Sequence, residues 1–337
     1  MSASIEDVAA LAGVSIATVS RSLRGLPDVA PRTRERVLEA ARTLDYVASP
    51  FAARLASGRT ATIGAIVPFV NRWFFGEVIA GAEGILRAAD YDLLLYNLDD
   101  AVGRERFFAR MPVRKRVDGV LVISMMLSDD EIAALRALKV PLALVGNSAP
   151  GAHCLRIDDT AGARGAVNHL IELGHRRIGL IGGRLDDPMR FSAVVDRQEG
   201  YLQALAAAGI PRDPAIEAIG YFTFDGGEHA MASLLALEDR PTAVFVESDE
   251  MAYGALRVIR RAGLRVPEDI AVIGFDDHVT AELLDLSTVR QPVQEQGAKA
   301  ARALLDALAD PSSPPREQVL PTTLIVRNST DPRVPPL

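Results

Sequence analysis

A chain of 337 residues with a single cysteine cannot form an internal disulfide, and Cys154 reads as a small buried hydrophobe rather than a reactive thiol. Long apolar runs are missing as well. No stretch reaches the roughly 20 uninterrupted apolar residues that a membrane span requires, and no apolar run follows a charged start as an export signal would. A cytoplasmic location with no membrane partner is therefore expected. The five histidines (His153, His169, His175, His229 and His278) show no HxxxH or HExxH spacing, so no metal site is expected. Neither GxxxxGK[ST] nor GxSxG occurs. Residues 68–75 (PFVNRWFF) stand where a phosphate-cradling glycine loop would open a first βα unit, so no cofactor is implied. What the chain does have is 49% hydrophobic residues, enough for burial in more than one domain.

The N-terminal segment 4–24 (SIEDVAALAGVSIATVSRSLR) reads as two short helices about a tight turn. Ser4 and Asp7 have the spacing of an N-terminal cap, and Ile5, Val8, Ala9 and Ala12 recur on one helical face. Gly13 is placed to take the positive φ that ends a helix, Val14 fills the corner, and Ser15 is placed to cap a second helix from Ile16. Val19 and Leu23 share the expected buried face. Ile16, Ala17, Ser20, Arg21 and Arg24 then project outward, an arrangement suited to reading the DNA major groove. Pro31 suits a first helical turn, and Val37, Ala40, Ala41 and Leu44 form a third apolar stripe. A plain helical hairpin is the alternative, but three stripes can close a core. Residues 1–60 carry eight arginines against six carboxylates, a net of +2, whereas the remainder has a net of −9. The basic end is the helical end.

Beyond residue 60, β-rich runs alternate with helical ones, the pattern of βα units on parallel sheets. The expected strands are 62–67, 92–96, 119–123, 142–145, 178–181, 243–247 and 270–275, with helices at 78–89, 161–173, 197–208 and 251–262. So many units exceed one ordinary sheet. An α/β fold of two doubly wound parallel-sheet subdomains is expected, with a ligand cleft between them at the carboxyl ends of the strands.

Seven segments taken together resemble the LacI/GalR family of bacterial transcription regulators. They are VSIATVSRSLRG at 14–25, RTRERVLEAARTLDYVASP at 32–50, LASGRTATIG at 55–64, VDGVLVIS at 117–124, HLIELGHRRIGLIGG at 169–183, SDEMAYGALRVIRRAGLRVPEDIAVIGFDD at 248–277 and TVRQP at 288–292. The resemblance implies a non-enzymatic regulator acting as a repressor. Its headpiece (1–48) and hinge (49–60) would bind palindromic operator DNA as a homodimer. Its periplasmic-binding-protein-like core (61–337) would bind a small effector, a carbohydrate being expected and a purine or other non-sugar metabolite being the alternative. Three crossings near residues 160, 290 and 322 would divide that core into 61–160 with 291–321, and 161–290 with 322–337.

The segment 49–58 (SPFAARLASG) can form two helical turns, from Ser49 as cap and Pro50 at the first position to Gly58. So short a helix is marginal alone and depends on a partner and DNA to fold. In the family a leucine from this helix enters the minor groove, and Leu55 matches it. Ser49 and Ala53 stand where asparagine and arginine are common, so the groove contacts differ there. Ser15, Ile16, Ala17, Thr18, Ser20, Arg21, Arg24 and Leu55 make up the expected DNA-contacting set. Ile16 and Ala17 can sense only apolar features such as a thymine methyl, while Arg21 can contact a base or a phosphate.

For the effector, Arg197 and Asp276 match cleft positions of the family, and a fork of donors facing a carboxylate suits a polyol. Trp73, Phe74, Phe222 and Ser248 complete the expected effector-binding set. A structural ion pair is the alternative for Arg197 and Asp276, core burial for Trp73 and Phe74, and helix capping for Ser248. Phe69 stands where the family often has an acidic residue, which leaves no basis for expecting a phosphate or an amine. A two-domain enzyme or an exported solute-binding protein would share the core but not the basic headpiece. The proline-rich end at 330–337 (TDPRVPPL) carries no leucine heptad, so a dimer rather than a tetramer is expected.

Overall fold

The computed structural model describes residues 3–23, 27–46 and 59–334, which fall into two compact units divided between Ala61 and Thr62. In the first unit, α1 (Ile5–Ala12) opens on a reciprocal cap. Ser4 Oγ accepts from the Asp7 N–H at 3.3 Å, and the Asp7 carboxylate accepts from the Ser4 N–H at 2.8 Å. Gly13 ends the helix at φ +61°, a conformation that carries no steric cost without a Cβ. Helices α2 (Ile16–Leu23) and α3 (Pro31–Thr43) follow, with Pro31 in the first turn of α3. Val8, Ala9, Ala12, Val19, Val37, Ala40 and Ala41 form the buried core. One detail departs from expectation. Ser22, rather than Leu23, is buried beside Val19, and Leu23 packs half-buried at the rim. Ser22 tolerates burial because its hydroxyl donates to Thr18 O at 2.7 Å.

The second unit holds two six-stranded sheets. The first runs β11-β5-β4-β3-β1-β2, built from β1 (Thr62–Val67), β2 (Asp92–Asn97), β3 (Gly119–Ile123), β4 (Leu142–Val145), β5 (His153–Ile157) and β11 (Glu317–Leu320), all parallel. The second runs β12-β10-β9-β8-β6-β7, from β6 (Ile178–Gly182), β7 (Glu217–Ile219), β8 (Ala243–Val246), β9 (Ala271–Asp276), β10 (Ser287–Arg290) and β12 (Thr323–Ile325); only β12 is antiparallel. Central strands such as β1, β3, β8 and β9 are buried along their whole length, which is why they read as continuous apolar runs. Strands β5, β7, β10, β11 and β12 were not among those expected. β7, β11 and β12 are short edge strands whose sequences EAI, EQVL and TLI carry little apolar signal.

The helices that flank the first sheet are α4 (Trp73–Ala88), α5 (Ala101–Arg110), α6 (Asp129–Arg136) and α12 (Val293–Ala309). Those of the second are α7 (Asp159–Glu172), α8 (Ser192–Ala207), α9 (Phe224–Leu235), α10 (Asp249–Arg261) and α11 (Val279–Leu283). Helices α4 and α12 meet backbone to backbone, since a Cβ on Gly81 or Gly297 would collide with the Gln294 or Val78 carbonyl. The chain passes between the halves after β5, after β10 and between β11 and β12. No helix among the described residues is long and apolar enough to cross a membrane.

Candidate functional site

A cavity lies between the carboxyl edges of the two sheets, as the doubly wound topology requires. The first half contributes Arg72, Phe74 and Phe75 at the start of α4 and Ser124 from the end of β3. The second half contributes Phe191, Ala193 and Arg197 at the start of α8, Phe222 after β7, Ser248 and Glu250 at the start of α10, and Asp276 at the end of β9. Ser124, Phe222 and Asp276 all hold positive φ, at +52°, +52° and +125°. Backbone strain concentrated on three lining residues is characteristic of a functional site.

The floor is a buried charge cluster. Arg197 Nε donates to Asp159 Oδ1 at 2.7 Å, Nη1 donates to the Glu247 carbonyl, and Nη1 lies 3.6 Å from Asp276 Oδ1. The guanidinium also stacks 3.7 Å from the centre of the Phe275 ring. Asp276 accepts from Gln291 Nε2 at 2.6 Å, and Gln291 in turn accepts from Gln296 at 3.1 Å. Burial pushes the Asp276 carboxyl up to about 7, against the pull of Arg197 and Gln291. Burial likewise pushes Glu247 up to about 8, although the Gly183 N–H donates to it at 2.9 Å. Asp249 is raised by burial and by the Asp276 charge, while accepting from the Thr288 hydroxyl at 2.7 Å and the His278 N–H at 2.8 Å. One guanidinium thus faces more carboxyls than it can neutralise. A carboxyl near neutrality both donates and accepts hydrogen bonds, which suits a ligand bearing hydroxyls.

The walls are aromatic. Phe191 lies 6.5 Å from Phe75 and 6.1 Å from Phe222, edge to face with the latter, and Phe74 meets Phe75 edge to face at 5.4 Å. Arg72 stacks 3.9 Å over Phe69; burial lowers its pKa and the Glu250 charge opposes that shift.

Of the residues singled out in the sequence, Phe74, Arg197, Phe222, Ser248 and Asp276 come together in this lining. Ser248 also caps α10, accepting from the Met251 N–H at 3.3 Å. Trp73 stands outside the lining, its ring 4.8 Å from that of His278. Arg72, Phe75, Ser124, Phe191, Ala193 and Glu250 were not singled out. Arg72 and Phe75 flank the named rings and Glu250 lies two residues past Ser248, so proximity to named residues was a usable signal. Phe191 and Ala193 sit where a long loop enters α8, and no local pattern reveals the path of that loop.

On the helical unit, Ile16, Ala17 and Arg21 are exposed and Ser20 is half-buried. Ser15 Oγ accepts from the Thr18 N–H at 3.2 Å and shares a 2.9 Å hydrogen bond with the Thr18 hydroxyl, so both residues fix the start of α2. Arg21 pairs with Asp28 at 3.0 Å, an exposed contact worth about 0–1 kcal/mol and readily exchanged for another anion. Arg24, Leu55 and the segment 49–58 lie outside the described residues.

Residues 4–49 match the family model for bacterial regulatory proteins of the lacI family, and residues 167–330 match the periplasmic binding protein-like domain. The chain is 37% identical to the HTH-type transcriptional repressor CytR of Escherichia coli (strain K12), covering 97% of this chain and 96% of that one. Among solved structures it resembles a transcriptional regulator CelR–cellobiose complex at 36% identity and TM-score 0.72, covering 97% and 99% of the two chains. It also resembles the lac repressor dimer bound to operator and the anti-inducer ONPF, at 26% identity and TM-score 0.87, covering 98% and 99%.

Proposed function

The chain belongs to the lacI family of bacterial regulatory proteins and is a DNA-binding transcriptional regulator rather than an enzyme; from that premise we propose that it acts in the cytoplasm as a homodimeric repressor controlled by a sugar or sugar derivative in the cavity between its two sheets. The observation that carries the effector assignment is the buried Arg197–Asp276 contact at the floor of an aromatic-walled cavity. Asp276 and Ser248 hydrogen-bond the ligand's hydroxyls, and Phe74 and Phe222 cover its apolar face. Arg197 bonds Asp159 through Nε and the Glu247 carbonyl through Nη1, and from that fixed position its charge holds the Asp276 carboxylate in place. The number of rings gives specific support to a second reading, in which the effector carries a flat heterocycle such as a purine.

The headpiece, residues 1–48, binds a palindromic operator through Ile16, Ala17, Ser20, Arg21 and Arg24, with Ser15 and Thr18 at the helix start. The hinge, 49–60, places Leu55 in the minor groove, and the core, 61–337, closes on the effector. Val279 and Leu283, four apart on α11 and both exposed, support pairing of two copies through the second half of the core. A thermal-shift panel of cellobiose, other sugars and purines tests the effector class, because a ligand at a hundredfold above its Kd adds about 2.7 kcal/mol. Stabilisation by a sugar that is lost in Asp276→Asn supports the reading. Stabilisation only by purines replaces it with the second.

A further inference from the structure

The chain between β6 and α8 leaves the second half of the core and lies on the first. Met189 and Phe191 are buried in the first half's apolar core, and Phe191 lines the cavity. This strap, 184–191, is held chiefly by Arg104 on α5, whose five N–H donors are all engaged. Nε and Nη2 form a two-pronged pair with Glu131 at 2.8 and 2.7 Å, and Nη2 also donates to Met126 O at 2.7 Å. Nη1 donates to Pro188 O at 3.2 Å and Met189 O at 2.8 Å, both in the strap. Beside it, the Met126 N–H donates to Arg190 O at 2.9 Å, and the Ser192 hydroxyl donates to Gly146 O at 2.9 Å. The Arg104 side chain is only 7% exposed, so a strap that lifts away strands buried donors as well as carbonyls.

We propose that Arg104 is a positioning residue for the cavity: it latches the strap 184–191 of the second half onto the first and so sets how far the cleft rests closed before any small molecule arrives. Three crossings allow the halves to rotate apart, and a rotation that widens the cavity must either break the Arg104 contacts or pull the strap taut against β6 and α8. The fraction of molecules resting closed scales the apparent affinity of anything that binds there. The inference rests on reading the cleft as the effector site, but its test needs no effector.

Trp73, the chain's only tryptophan, lies at the start of α4 in the first half, against His278 of the second, and so reports on separation of the halves. The experiment is hydrogen exchange and Trp73 fluorescence on the effector-free full chain. The variants are Arg104→Met and the double variant Arg104→Met with Glu131→Gln, which removes the carboxylate that the single change would leave buried and unpaired. Exchange at the Met126, Met189 and Arg190 amides should rise about tenfold or more, with β3 amides unchanged, and Trp73 emission should shift to the red. Unchanged strap exchange in the folded double variant would overturn the latch. Faster strap exchange with Trp73 emission unchanged would overturn it too, since the strap would then be held without setting the cleft. A thermal-shift panel in which no compound stabilises the wild type would count against the effector reading and leave the exchange result standing.

Discussion

Both sheets of the core follow one strand order, β2-β1-β3-β4-β5 in the first and β7-β6-β8-β9-β10 in the second, each completed by a late strand from near the end of the chain. Their carboxyl edges differ sharply in chemistry. The second half gathers Asp159, Glu247 and Asp276 around Arg197, all buried, whereas the first brings Arg72, Phe74, Phe75 and Ser124 to the cavity. Shared topology fixes where a ligand can sit, and the loop residues decide what each half offers it. The charged floor belongs to the second half and the rings come from both, so a ligand resting on that floor and against Phe74 and Phe75 gains full affinity only when the halves come together.

The largest effect belongs to Arg197→Ala, which leaves Asp159 and Asp276 buried without their cation and should cost the core about 3–5 kcal/mol, seen as a Tm lower by roughly 10 °C in calorimetry. A loss below about 1 kcal/mol would mean that the carboxyls need no neutralisation, and the polar half would lose its special status. Asp276→Asn keeps shape and most hydrogen bonds, so stability should stay close to wild type. Affinity for the strongest-shifting sugar of the panel should nevertheless fall by about 1.5–3 kcal/mol, roughly 10- to 150-fold.

Among the rings, Phe74→Ala should weaken the same sugar by only about 0.5–1.5 kcal/mol in titration calorimetry. Equal losses in the two variants would mean that the charged floor and the aromatic wall contribute alike. The pH dependence shows as a slope rather than as a single loss. Asp276 and Glu247 have folded pKa values of about 7 and about 8, raised above their ordinary values, so the folded state binds their protons more tightly than the unfolded state. Their contribution to stability is fully present below about pH 4 and is lost as pH rises through 7 and 8. Glu247→Gln should flatten the upper part of that decline in denaturant titrations across the range, while no matching slope is expected from the first half's cavity residues.

The helical unit was legible nearly residue by residue, because caps and apolar spacing are local signals: Ser4 with Asp7, Gly13 and Pro31 all act where the pattern placed them. The buried central strands were equally legible, β1, β3 and β4 to the residue, since burial on both faces demands continuous apolar runs. Edge strands such as β7 and β11 escaped because pairing on one side places few demands on composition. At the cavity, Arg197 and Asp276 were recognised from the family resemblance rather than from spacing. The ionic partner Asp159 and the latch Arg104 with Glu131 were invisible, being contacts between segments 38 and 27 residues apart that no periodicity links. Trp73 shows the opposite failure, since adjacency to Phe74 suggested a shared role, yet successive helical side chains point in different directions and its ring turns to His278.

Occupancy of the cleft is expected to govern DNA binding. The most direct test is fluorescence anisotropy of an operator duplex, taken from the chain's own footprint, titrated with wild type in the presence and absence of the sugar that shifts its melting most. A change in operator affinity of about 5- to 150-fold is predicted, matched by the same factor in sugar affinity when the operator is present, because linkage is reciprocal. Identical operator affinity with and without saturating sugar would show that the cleft does not govern DNA binding.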